Sequence, residues 1–272
     1  MGLTYEQLTA RNARYIGEEL QQKIRGTGIL VAGCGLGSAV AEAAARSGFV
    51  RFELVDPDTV DATNLNRQIY AAGDVGKPKV EALAARLLAV NPAAEVGTHS
   101  VFVNAENVAD LVERCDMVFD TIDFLDLPAI VGLHDAARAA GRTVISSFSA
   151  GWGAVSAVFT PEAEPLRSVC GLPPEGSVEG VSYTAVFGAF LQRLAPSLPE
   201  EFVAVTGEVI RELADGKPCP APQLAAGAAG AASLMVTQAV RILAGLPVTA
   251  SPEFVLLDPV ARASSPGIRL HG

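Results

Sequence analysis

Short apolar runs alternate along the chain with longer segments whose apolar residues recur every three or four positions, the pattern of strands followed by helices in an α/β fold. Gly28-Ile29-Leu30-Val31-Ala32 is a glycine-bounded apolar run, as expected of a strand covered on both faces of a parallel sheet. A helix of strong helix formers follows from near Ser38 through Arg46 and stops at Gly48, its C-cap. Arg51-Phe52-Glu53-Leu54-Val55 reads as a second strand. The alternation continues with a helix over 79–90, a strand over 95–103, a helix over 105–115, a strand over 116–120, a helix over 127–140 and a strand over 143–147. Gly151-Trp152-Gly153 opens an alternating strand over 154–159 that begins an antiparallel extension, and 253–257 closes the sheet; Trp152 is read as a packing residue. The expected fold is α/β, a doubly wound Rossmann-like, mostly parallel sheet with an antiparallel extension and a helical insertion.

The pattern divides the chain into a helical arm over 1–27, a nucleotide-binding Rossmann-like core over 28–160, a crossover loop and helical insertion over 161–222, and a C-terminal helix and strand over 223–272 that complete the same domain. Two proline-flanked runs, 183–194 and 200–215, are the insertion's helices. The stretch 224–246 is apolar but rich in Ala and Gly, which carry little insertion energy, and holds Ser233, Thr237, Gln238 and Arg241. It reads as a buried helix, and no membrane partner is expected. With 272 residues, half of them apolar, the chain has ample material for a core. Residues 1–6 lack a basic start and an apolar run, so a cytoplasmic protein with reduced thiols is expected. A net charge of −10 argues against a phosphate-backbone interface, so nucleic acid is an unlikely partner.

The chemistry begins at Gly33-Cys34-Gly35-Leu36-Gly37-Ser38, a turn between strand and helix. Gly33, Gly35 and Gly37 let the backbone come close to a ligand, and the unpaired amides of a helix N-terminus favour phosphate. Asp56 ends the second strand about 20 residues on, where an acid holds ribose hydroxyls in dinucleotide sites. On this segment alone ATP, NAD and no nucleotide stand level. The next residues, beginning with Asp58, separate them: Asn64, Arg67, Lys77 and Lys79 have no task in hydride transfer, whereas nucleotidyl transfer needs cations and amides along a phosphate chain. Asp120 and Asp123 fall at the carboxyl end of a central strand, and Asp123 is the candidate magnesium carboxylate. Cys34, Cys115, Cys170 and Cys219 never pair at zinc-ligand spacing. Cys34 and Cys115 read as apolar fillers and Cys170 and Cys219 as loop cysteines; an acyl-accepting thiol, if the protein has one, is Cys219. His99, His134 and His271 have no partner motif and no expected catalytic role.

Arg11-x-x-Arg14, the glycine turn, Asp56-x-Asp58-x-Val60, Asn64-Leu65-Asn66-Arg67-Gln68, Asp74-Val75-Gly76-Lys77-Pro78-Lys79, Asn91-Pro92 and Asp120-Thr121-x-Asp123 together resemble the ThiF/MoeB/HesA family. These are adenylating enzymes related to ubiquitin-activating enzymes. The resemblance implies ATP with magnesium, and attack on it by a carboxylate, usually the C-terminus of a small ubiquitin-like sulfur carrier or a peptide, giving an acyl adenylate and pyrophosphate. It implies that Asp56 holds the ribose, that Asn64, Arg67 and Lys79 contact phosphates, and that Asp123 manages magnesium or the attacking carboxylate. It also implies a homodimer in which Arg14 reaches into the partner's site. The chain departs from the family in a shortened glycine turn, in Phe124 where many members have an amide, and in lacking the zinc cysteine pairs. An NAD-binding oxidoreductase and a non-catalytic scaffold are the alternatives.

Overall fold

The computed structural model describes residues 3–217 and 222–260. Seven strands form one sheet: β1 (Gly28–Ala32), β2 (Arg51–Val55), β3 (Glu95–His99), β4 (Met117–Asp120), β5 (Thr143–Ala150), β6 (Gly153–Phe159) and β7 (Val255–Leu257). Their order is β3-β2-β1-β4-β5-β6-β7, parallel through β5 and antiparallel from β5 to β7. The chain runs outward from β1 in one direction and then restarts at β4 on its other side. That reversal opens a crevice beyond the carboxyl ends of β1 and β4, the place where open α/β sheets bind ligands.

The strand alternation explains why β1 is apolar throughout. Ile29 and Val31 enter a core beneath α2 (Glu18–Gly26), α3 (Leu36–Ser47), α4 (Lys79–Val90) and α10 (Ala225–Leu243), where Ile24, Val40, Leu83 and Met235 also lie. Leu30 and Ala32 enter a second core beneath α5 (Val108–Glu113) and α6 (Leu127–Ala139), with Leu111, Val112 and Leu133. Each such Leu or Ile taken fully from water contributes about 1.5–3 kcal/mol. Gly48 caps α3 at φ 107, a left-handed conformation that a side chain resists.

The helix α10 is long and apolar enough to cross a membrane by length and composition alone. Here it lies against α3, β5 and β6, with Gly227, Ala228, Ala231 and Met235 buried. Its small residues permit the approach: a Cβ on Gly227 would come within 2.6 Å of the Gly151 carbonyl oxygen. The polar Gln238 inside this face is explained by a 2.8 Å hydrogen bond from Ser156 Oγ to Gln238 Oε1.

Two strand boundaries and one side chain differ from the sequence pattern. The β3 strand ends at His99, and 101–103 turn away toward the crevice instead of continuing the ladder. The β5 strand runs on to Ala150 because Phe148 and Ser149 pair with Val155 and Ala154 of β6. Trp152, at the tip of that hairpin, is 51% exposed, so its expected packing role does not hold. The remaining helices are α1 (Tyr5–Thr9), α7 (Leu166–Val169), α8 (Tyr183–Leu194) and α9 (Glu200–Ala214).

Candidate active site

A cavity of about 1090 Å³ lies beyond the carboxyl ends of β1, β2, β4 and β5. Its floor at one end is the glycine turn. Gly33 has φ 86, and an added Cβ would run into the carbonyl of Thr121. A Cβ on Gly37 would lie 2.5 Å from Thr121 Oγ1 and 2.8 Å from Val31. The same Thr121 hydroxyl hydrogen-bonds the carbonyls of Ala32 and Gly33 at 3.0 and 2.6 Å, tying the end of β4 to the turn. Gly35 also lines the cavity, beside the side chain of Gln68.

Asp56 is buried at the edge of this cradle. Its carboxylate accepts from the Cys34 N–H at 2.6 Å and the Asp58 N–H at 2.8 Å. Burial raises the Asp56 pKa against the opposing pull of Lys79. The Lys79 ammonium, itself buried, bonds Asp58 at 2.7 Å and lies 3.8 Å from Asp56. The two acids and the lysine thus form one compact ion cluster, with Lys79 directed back at Asp58. Asn64 lines the cavity and uses Oδ1 to accept from the Asp61 N–H at 3.1 Å, which closes a tight turn.

Arg67 is held by three acceptors: the Thr63 carbonyl at 3.2 Å, Asn66 Oδ1 at 2.9 Å and Gln223 Oε1 at 2.7 Å. Burial lowers its pKa, and Asp123 across the cavity opposes that shift. Asp123 is exposed, with Oδ1 accepting from the Leu125 N–H at 3.1 Å. Burial raises the pKa of Tyr183, and Asp123 adds to the rise. Asp123, Arg67 and Tyr183 all line the cavity, and Phe124, next in sequence to Asp123, packs on Phe187 and Tyr183.

The structure brings Gly33, Gly35, Gly37, Asp56, Asp58, Asn64, Arg67, Lys79 and Asp123 to one place. It does not bring Arg14 there. Arg14 is exposed on the loop before α2, with φ 80, and does not line the cavity. Cys219 lies outside the described residues. Cys170 does line the cavity, but burial pushes its thiol up to about 11, the wrong direction for a nucleophile at neutral pH. Cys34 and Cys115 are buried, as fillers should be.

Sequence reasoning missed two groups. Gln68 contributes a buried Oε1 without a partner at the cradle; its position in the Asn64-to-Gln68 motif was the available signal. Beneath the cavity, buried His134 bonds Asp120 at 3.0 Å, and Ser146 Oγ donates to the same carboxylate at 2.9 Å. Nothing in the sequence joins residues so far apart. Among the described residues no cluster of three or more His, Cys, Asp or Glu is arranged as a metal cage. Asp123 is an exposed carboxylate that lines the cavity, the ligand type that magnesium takes together with phosphate oxygens.

The chain is 40% identical over 117 residues to the tRNA threonylcarbamoyladenosine dehydratase of Bacillus subtilis, covering 42% of this chain and 46% of that protein. It is 30% identical over 184 residues to the sulfur carrier protein adenylyltransferase of Thermus thermophilus, covering 64% of this chain and 66% of that one. These matches span about half to two thirds of the relatives' length. The crystal structure of E. coli MccB with ATP shares the fold at TM-score 0.60 and 22% identity, over 85% of this chain and 61% of that chain. The ThiF family model matches residues 9–266, nearly the whole of the sequence, and the chain is a member of the ThiF family.

Proposed function

We propose that this protein adenylates a carboxylate with ATP, the acceptor being the C-terminus of a small ubiquitin-like sulfur carrier or of a peptide. The observation that carries this reading is one cavity lined by a glycine cradle, an ion cluster, Arg67, Asp123 and a set of aromatic side chains. Asp56 and the amides at the glycine turn hold the nucleoside end. Gln68 Oε1, buried and unpartnered, accepts a hydrogen bond from the bound nucleotide. Arg67 and Asn64 take the phosphates. Lys79 offsets phosphate charge once ATP draws it from Asp58.

Asp123 would hold magnesium, which when bound would supply positive charge against the phosphates. The protein's own contribution is to bring two anions together, with cations and amide donors placed where charge develops. Arg14 belongs to a homodimer in this account. Its exposure, its left-handed backbone and the 95% exposure of neighbouring Tyr15 fit an arm directed at a second subunit. The three free thiols of the described residues suit a reducing, cytoplasmic compartment.

Identity to the Bacillus protein favours a second reading, action on a modified nucleoside of tRNA, and the net charge of −10 weighs against it. The test is thermal stabilisation of the purified chain by magnesium with ATP, against NAD, with Arg67→Ala as control. A ligand that binds only the folded state raises Tm, by the equivalent of about 2.7 kcal/mol at a hundredfold excess over Kd. Stabilisation by ATP that Arg67→Ala removes is the expected result. Stabilisation by NAD alone returns the protein to the oxidoreductases, and stabilisation by neither points to a scaffold.

A further inference from the structure

The insertion helices α8 and α9 are apolar along one side, yet Leu191 and Val209 are their only buried residues. Val186, Phe187, Phe190, Phe202, Val205 and Ile210 of these helices line the cavity. Phe187 of α8 stacks on Phe124 at 4.5 Å between ring centroids and 13° between planes. Phe202 of α9 lies 6.3 Å from Phe148 at 26°. Both pairs join the insertion to the sheet core, and all four rings line the cavity. An amphipathic face that ends at empty space is a core missing a member.

The position of this compartment fixes what completes it. Phe124 follows Asp123 directly, so the aromatic wall begins beside that carboxylate, in the cavity that Arg67 also lines. Resting on the adenylation reading, the acceptor carboxylate meets ATP at that point, and the substituent next to that carboxylate enters the aromatic compartment. The cavity, at about 1090 Å³, is at the top of the roughly 300–1,000 Å³ range of ordinary small-molecule sites. A glycine-ended tail brings no side chain to fill it. Outward from the rings, Phe102, Leu125 and Trp152 line the same cavity while 64%, 45% and 51% exposed, a rim that the preceding residues of a chain would cover.

We propose that the acceptor is a peptide whose C-terminal residue is aromatic or bulky aliphatic, its side chain seated among Phe124, Phe148, Phe187 and Phe202. The step balances without a further reactant. A carboxylate oxygen forms a bond to the α-phosphorus, and the bond from that phosphorus to the bridging oxygen breaks, its electron pair leaving with pyrophosphate.

The test is exchange of labelled pyrophosphate into ATP by the full chain, with peptides identical except for C-terminal Phe, Leu or Gly, and with 3-phenylpropionate. Peptides ending in Phe or Leu are expected to have kcat/KM about tenfold or more above the glycine-ended peptide. Phe187→Ala should narrow that ratio, and Phe187→Leu, which keeps the site filled, should retain it. A glycine-ended peptide that exchanges as fast as the others overturns this inference and leaves adenylation standing. A free phenylpropionate as efficient as the Phe-ended peptide overturns the assignment to a peptide. Exchange with no carboxylate, while ATP still raises Tm, overturns the adenylation reading and this inference with it.

Discussion

Gly37 leaves no room for a methyl group, since its Cβ position is already within 2.5 Å of Thr121 Oγ1 and 2.8 Å of Val31. Gly37→Ala is expected to cost about 1–3 kcal/mol by overpacking, measured as a lower urea midpoint with unchanged slope. Wild-type stability in that variant would contradict the close approach. Asp56 makes a prediction in pH. Its folded pKa is raised by burial, so between the ordinary aspartate value of about 4 and the raised folded value the native state holds a proton that the unfolded chain has lost. Its contribution to stability therefore falls as pH rises through that window. The stability difference between wild type and Asp56→Asn should shrink over the same interval in denaturant titrations; a difference independent of pH would refute the raised value. The glycines and Asp56 were legible because each serves a local backbone need within a short stretch. The pairing of His134 with Asp120 and Ser146 was not, because three elements must meet before it exists. His134→Ala should destabilise the fold by about 1–3 kcal/mol through the buried carboxylate left short of a donor.

The elements of the core follow from periodicity, and β1 shows why: each of its residues is buried on one face or the other, so the run had to be apolar. The insertion behaves differently. The sequence carries α8 and α9 plainly, but not the fact that their apolar faces meet the cavity, which depends on how the crossover segment returns to the sheet. That return is fastened at Gln223, whose side chain accepts from Arg67 at 2.7 Å and whose carbonyl accepts from Asn66 at 3.0 Å. The segment leading into α10 thus positions Arg67. Removing a hydrogen bond to a charged group costs about 1.5–3 kcal/mol, so Gln223→Ala should raise the KM for ATP by about tenfold or more. An unchanged KM for ATP would show that Arg67 needs no such support. Trp152 was misjudged for the same reason as the insertion: hairpin tips are exposed or covered according to what lies opposite.

At the scale of the molecule, the strand order puts the crevice between β1 and β4, and the sequence points to that crevice because β1 runs into the glycine turn and β4 into Asp120 and Asp123. What the single chain does not contain is a place for Arg14 in its own cavity. If the assembly is a homodimer exchanging that residue, Arg14→Ala and Asp123→Ala are each inactive alone, and mixing them restores about a quarter of wild-type activity, since half the dimers are hybrids with one intact site. No recovery on mixing would place Arg14 outside the reaction. The central claim concerns which bond of ATP is broken. The most direct measurement is separation of the products formed from labelled ATP, with magnesium and a carboxylate acceptor, by the wild-type chain and by Asp123→Ala. The account predicts AMP and pyrophosphate, formed only with acceptor and lost in Asp123→Ala. ADP and phosphate, or acceptor-dependent AMP undiminished in Asp123→Ala, would contradict it.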